Sequence, residues 1–180
     1  MMKRHSLAAA VIAAGIPAMV VAMPVAADAN SVSTPVTVEI TGGGLSISAP
    51  TTSVDLGSQA ATVSGSTING LLGTVQVLDA RGAPAGSGWI ATAISTALTP
   101  LSGPTIGAAL IGYTVGTITQ VGTAAYTADN PPNLTGVSPV VTATAITGDN
   151  SATWDPTINV TVPGGTVPGT YSGNITHSVS

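Results

Sequence analysis

Few side chains in this 180-residue chain have the means to transform or grip a ligand. A Ser/His/Asp relay needs an imidazole to take the nucleophile's proton. Past the N-terminal stretch only His177 offers one, and it sits in an alternating strand-like run, where a half-buried cross-strand neighbour is the expected role. Asp129, Asp149 and Asp155 could be paired as acid and base for glycoside hydrolysis, but each stands among Gly, Pro and Asn, where Asp is the ordinary turn former. Asp129-Asn130 and Asp149-Asn150 offer oxygens to calcium without the Asp-x-Asp-x-Asp-Gly spacing of a calcium loop. Cysteine is absent, which removes disulfides, thiolate nucleophiles and cysteine metal sites. Gly42-Gly43-Gly44 is followed neither by Lys-Ser/Thr nor by a helical pattern, so it is no phosphate loop. The expectation is a protein that is not an enzyme and uses no cofactor and no metal.

Binding without catalysis puts the weight on other residues. The aromatics are Trp89, Trp154, Tyr113, Tyr126 and Tyr171, with no Phe. Sugar recognition stacks rings on the ligand, yet these five rings must also fill a core. Most are expected inside, with Trp154, beside Asp155-Pro156, partly exposed. Asp79 and Arg81, two residues apart, can pair across a turn and hold the loop before Trp89. Trp89, Asp79, Arg81, Trp154 and His177 are the ligand-binding candidates.

Charge narrows the partners. Charged residues are 6% of the chain, against about 25% in ordinary soluble domains. The 27 threonines, with Ser, Asn and Gly, must hydrate the surface instead. Beyond Ala29 the one basic side chain is Arg81, facing Glu39, Asp55, Asp79, Asp129, Asp149 and Asp155. Such a surface has no means of neutralising phosphates, so nucleic acid is not expected as a partner. A neutral glycan, a wall polymer that tolerates acidic groups, or another protein remains.

The first 29 residues have the layout of a secretory signal: Lys3, Arg4 and His5, then the apolar run Ser6 to Val25, then small residues. Cleavage after Ala27 or Ala29 fits, and the cut after Ala29 is expected. The apolar run approaches the roughly 20 residues of a spanning helix, but Pro17, Pro24 and the small-residue end favour a removable signal. Membrane contact is then confined to export, and the localisation is extracellular.

Residues 30–180 read as one domain. Val36, Val38 and Ile40 alternate with Thr37 and Glu39, and Leu45 and Ile47 with Ser46 and Ser48. Further strand-like runs are Thr74 to Leu78, Trp89 to Leu98, Leu110 to Val115, Val140 to Ile146, Thr157 to Val162 and Thr170 to Val179. Gly42-Gly43-Gly44, Ala83-Pro84-Ala85-Gly86, Asn130-Pro131-Pro132-Asn133, Gly148-Asp149-Asn150 and Pro163-Gly164-Gly165 are expected to be the turns between them. In the last run Tyr171, Gly173, Ile175, His177 and Val179 share one face, and Ser172, Asn174, Thr176 and Ser178 face water. Residues 106–111 could form a short helix. The pattern predicts an all-β fold, a single antiparallel β-sandwich of Greek-key, immunoglobulin-like or jelly-roll type after an N-terminal signal helix.

The run Asp79-Ala80-Arg81-Gly82, then Gly88-Trp89 and an alternating strand, then the ending from Ile158 through Pro163-Gly164-Gly165-Thr166-Val167-Pro168-Gly169-Thr170-Tyr171 to Val179, resembles the Trp-x-Leu surface domain. The likeness extends over about Val36 to Val179 and includes Gly44-Leu45-Ser46-Ile47 and Gly73-Thr74-Val75-Gln76-Val77. Where that family has Trp-x-Leu, this chain has Trp89-Ile90-Ala91 and, in the final strand, His177-Ser178-Val179. The resemblance implies an exported protein of Gram-positive bacteria that attaches non-covalently to peptidoglycan, often within surface assemblies. A subunit of a surface fibre or complex is the alternative expectation, from Thr-rich strands with almost no charge to guard their edges. A secreted carboxylate-dependent hydrolase is the other.

Overall fold

The computed structural model describes residues 34–180, so the signal segment expected at 1–29 lies outside the described residues. What it describes is an all-β architecture in which every strand pair is antiparallel. One sheet runs in the order β1 (Leu45–Ser48), β3 (Val75–Ser95), β7 (Ser138–Trp154), β6 (Thr119–Ala128). On the flank of β3 that carries β1, β10 (Ile175–Val179) pairs with the other end of the strand. The second sheet is β2 (Ser66–Leu71), β8 (Thr157–Val162), β5 (Ile111–Thr114), and β4 (Thr99–Pro100) forms a small ribbon with β9 (Tyr171–Ser172).

Period-two alternation explains how the sheets meet. Val75, Val77, Trp89, Ala91 and Ala93 of β3 and Val141, Ala143, Ala152 and Trp154 of β7 turn inward. They join Ile111 and Tyr113 of β5 and Ile158 and Val160 of β8 in one core. The side chains of two sheets interdigitate there, as in a sandwich. No Phe contributes, so the two tryptophans supply the largest buried volume.

Two expected turns are not turns. Ala83-Pro84-Ala85-Gly86 lies within β3, and Gly148-Asp149-Asn150 lies within β7. Pairing between these two strands continues past both sites with register shifts between Asp79/Ala83, Ala83/Ser87 and Ser87/Trp89. The glycines and the proline that looked like chain reversal instead open a bulged arch at residues 80–88, and each strand keeps its direction. Gly122 of β6 has φ 87°, and a Cβ there would run into the Asp149 carbonyl oxygen, so only glycine fits where β6 crosses the β7 bulge.

Other expectations are corrected too. Val36, Val38 and Ile40 form no strand and are 83%, 78% and 92% exposed, because no described strand pairs with them. Residues 106–111 contain a single 3-10 turn, Ala108–Leu110, before β5. The final run is split: Gly173 sits against Leu98 and the Ala97 carbonyl as the chain passes from β9 to β10. Within it Ile175, His177 and Val179 face the core margin and Thr176 and Ser178 face out, as the alternation predicts.

Ala145 is the one non-glycine described with positive φ, 52°. It is the extra residue of β7 against both neighbours, between Ala143↔Trp89 and Ile146↔Ser87 on one side and Thr144↔Ala125 and Thr147↔Thr123 on the other. Left-handed backbone costs an alanine about 1 kcal/mol. Ala145→Gly should therefore leave stability unchanged or raise it by up to about 1 kcal/mol, whereas Gly122→Ala should lower it by about 2 kcal/mol or more. Urea denaturation of the two variants reads this, and a clear loss in Ala145→Gly would contradict it.

Candidate functional site

The arch of β3 is built around a buried charge. Asp79 has the inward parity of Val75 and Val77, and its side chain is fully buried. Oδ1 accepts from the Arg81 backbone N–H (3.2 Å) and from Arg81 Nε (2.8 Å). Oδ2 accepts from Arg81 Nη2 (2.9 Å) and from Asn150 Nδ2 (3.1 Å), the residue directly opposite on β7. The Arg81 guanidinium, hydrogen-bonded in fork fashion, holds the Asp79 carboxyl below the usual carboxylate range against the opposing effect of burial.

The network extends from there. Asn150 Oδ1 accepts from Trp89 Nε1 (3.0 Å) and from the Tyr126 hydroxyl (3.2 Å), and the Trp89 and Tyr126 rings lie with centroids 5.7 Å apart. Arg81 Nη2 also donates to the Gly88 carbonyl, and Asp149 accepts from the Gly82 N–H, so both ends of the arch are fastened. Gly43 N–H donates to the Ala80 carbonyl, and a Cβ on Gly42 or Gly43 would press on Ala80 or Arg81. The glycine triplet is thus the close cover of this loop.

A second cluster joins the sheets. Trp154 Nε1 donates to the Tyr113 hydroxyl (2.9 Å), which lies 3.1 Å from His177 Nε2. Burial raises the Tyr113 phenol above its ordinary range and lowers His177 to about 4, which favours the neutral imidazole. With its proton on Nδ1, the ring accepts the Tyr113 hydroxyl proton at Nε2, and the hydroxyl is used once as acceptor and once as donor.

These contacts place every sequence-derived candidate. Trp89 and Trp154 are 2% and 1% exposed, so Trp154 is not the partly exposed ring expected beside Asp155-Pro156. Its position as the last inward residue of β7 before the chain enters β8 accounts for this. Neither ring has a face free for a sugar. Asp79, Arg81 and Trp89 come together, Trp154 and His177 come together through Tyr113, and no described bond links the two groups. Asn150, Tyr126 and Tyr113 complete the clusters and were not among the candidates. Asn150 shares parity with Ala152 and Trp154, the signal of an inward polar residue that the Gly-Asp-Asn turn pattern masked.

The other aspartates beyond Asp79 are bound to structure as well. Asp129 accepts from Thr142 Oγ1, Asp155 from Thr74 Oγ1, and Asp55 from the Gly57 N–H. Only Asp55 follows the local turn pattern in these contacts; Asp129, Asp149 and Asp155 accept from other segments of the chain. Among the described residues no three His, Cys, Asp or Glu side chains gather where a metal ion could sit. An open concavity of about 540 Å³ is lined by residues 61–63 and 164–168, none of them titratable.

Asp79→Asn should lower the unfolding free energy by about 3 kcal/mol, since it removes a buried acceptor shared by two partners, while the exposed Asp149→Asn should cost less than about 1 kcal/mol. Equal losses by urea denaturation would refute the buried-network account. His177 also sets a pH window. Its pKa is depressed from about 6.5 in the unfolded chain to about 4, so the unfolded state binds the extra proton between these values. Stability should fall as pH drops from 6.5 to 4 and lose that slope in His177→Gln; Asp79, whose folded pKa is lowered, acts only below about pH 4. An unchanged slope in His177→Gln would contradict the assignment.

Comparison with known proteins returned no match to this chain from any protein-family model, curated protein or solved structure.

Proposed function

We propose that this chain is an exported, non-catalytic surface protein whose β-domain associates non-covalently with the cell wall, peptidoglycan being the polymer bound. The observation that carries the reading is the fate of the chemically capable side chains. Asp79, Arg81 and Asn150 satisfy one another, and His177 is engaged by Tyr113 at the core margin. Groups so occupied hold a scaffold rigid, and a general base must instead reach a substrate proton. The secretory layout of residues 1–29 and the sequence likeness to the Trp-x-Leu surface domain supply the location and the polymer. With both tryptophans buried, the contact would use exposed Thr, Ser and Asn groups as hydrogen-bond partners for a neutral glycan.

A second reading, a subunit of a surface fibre or complex, is favoured by β6. This ten-residue edge strand carries neither a charge nor a proline, and β7 is its only partner among the described residues.

Sedimentation of the chain beginning at Asn30 with purified Gram-positive peptidoglycan tests the first reading. The expected result is co-sedimentation that persists at moderate salt, since few charges are available to screen. Protein left wholly in the supernatant at low and moderate salt would contradict wall binding.

A further inference from the structure

Residues 34–41, Thr-Pro-Val-Thr-Val-Glu-Ile-Thr, have the alternation of a half-buried strand, and among the described residues no sheet takes them up. Val36, Val38 and Ile40 are largely in solvent. Three apolar side chains at period two, exposed and with no strand partner among the described residues, are what a strand looks like before it is added to an edge. We propose that this segment is a donor strand that pairs with the free edge of β6 in a second copy of the chain, an inference that rests on the assembly reading above.

Three observations select that edge. β1 and β10 offer four and five residues on a flank of β3 interrupted by the arch. β5 is four residues long, and its Tyr113 N–H is taken by the Pro131 carbonyl, while Gly70 of β2 is pressed by Leu56. β6 offers Thr123–Ala128 beyond its Gly122 bulge, a length that matches residues 36–41. Ala124 and Tyr126 are its half-buried residues and pack on the rim of the core. Val36, Val38 and Ile40 of an added strand would lie beside them on the same face and extend the core by one strand.

The tether requires a second copy. Gly43 is bonded to Ala80 beside β1, and two residues of extended chain carry Thr41 at most about 7 Å from that anchor. A strand beyond β6 lies four strand spacings from β1, about 19 Å, so the segment cannot pair with its own β6. Each copy then holds a donor at one flank of the first sheet and an acceptor at the other. That arrangement is heterologous and does not close by itself, so it generates a chain of subunits.

Two measurements on the chain beginning at Asn30 test the proposal. Light scattering across a concentration series should show growing oligomers, and Val38→Pro, which removes a ladder N–H, should weaken association by about tenfold or more while the urea midpoint, read at a dilution where both proteins are monomeric, stays unchanged. The sequence has no cysteine, so introduced thiols report pairing cleanly. Val38→Cys copies mixed with Ala124→Cys copies should form a disulfide-linked dimer under mild oxidation, whereas mixing with Thr67→Cys copies, on β2, should not. Self-association that survives Val38→Pro, or cross-linking to Thr67 in place of Ala124, overturns the donor strand and leaves the assembly reading standing. A strict monomer at the highest concentration overturns both.

Discussion

A single buried carboxylate organises the first sheet. Asp79 occupies an inward position of β3, where an ionised group without partners would cost several kcal/mol. Its cost is offset by an unusual local construction: the chain arches out over residues 80–88 so that Arg81 can turn back, and the opposite strand places Asn150 against the other oxygen. Asn150 then uses its own oxygen to orient Trp89 and Tyr126. Removing the carboxylate from this position would leave the guanidinium and the Asn150 amide N–H without their acceptor, and the amide that orients the indole and the phenol without its anchor. The arch carries Arg81 back to that one group, and Gly42 and Gly43 close over the arch.

This dependence suits a chain of unusual composition. With no cysteine there is no covalent staple, and with no Phe the core rests on aliphatic side chains, two tryptophans and Tyr113. Aliphatic side chains pack without direction, so hydrophobic burial alone names few specific partners across the core. A fully connected polar network at one point, and the Trp154–Tyr113–His177 contact at another, fix which residues must face each other. The same thrift explains the surface. Threonine hydrates it without charge, and the edges are left without the lysines that ordinarily keep sheets apart.

Much of the architecture was legible from alternation. β1 and β8 have the bounds read from Leu45–Ser48 and Thr157–Val162, because a run of apolar residues at period two leaves no other choice of face. β6 was missed because its inward residues are Ala124 and Tyr126 among threonines, too weak a contrast to mark a face. β2 is absent from the strand-like runs of the sequence, where Asn69-Gly70 interrupts the apolar alternation; in the fold Gly70 is small to admit Leu56. The arch in β3 and the bulge in β7 were read as reversals for a related reason: glycine and proline announce a departure from regular backbone, and sequence does not say whether the chain turns back or only steps aside. The pairing of Asp79 with Arg81 was visible in their spacing. Asn150 was not, since its role depends on a partner 71 residues away.

The most direct test of the central claim is a double-mutant cycle on Asp79 and Asn150 by urea denaturation, with Asp79→Ala, Asn150→Ala and the pair. If the carboxylate and the amide act as one unit, the double variant should lose less than the two single losses combined, with a coupling of about 1–3 kcal/mol. Losses that simply add would mean that the two groups stabilise the sheet separately and that the buried charge is not its organising centre.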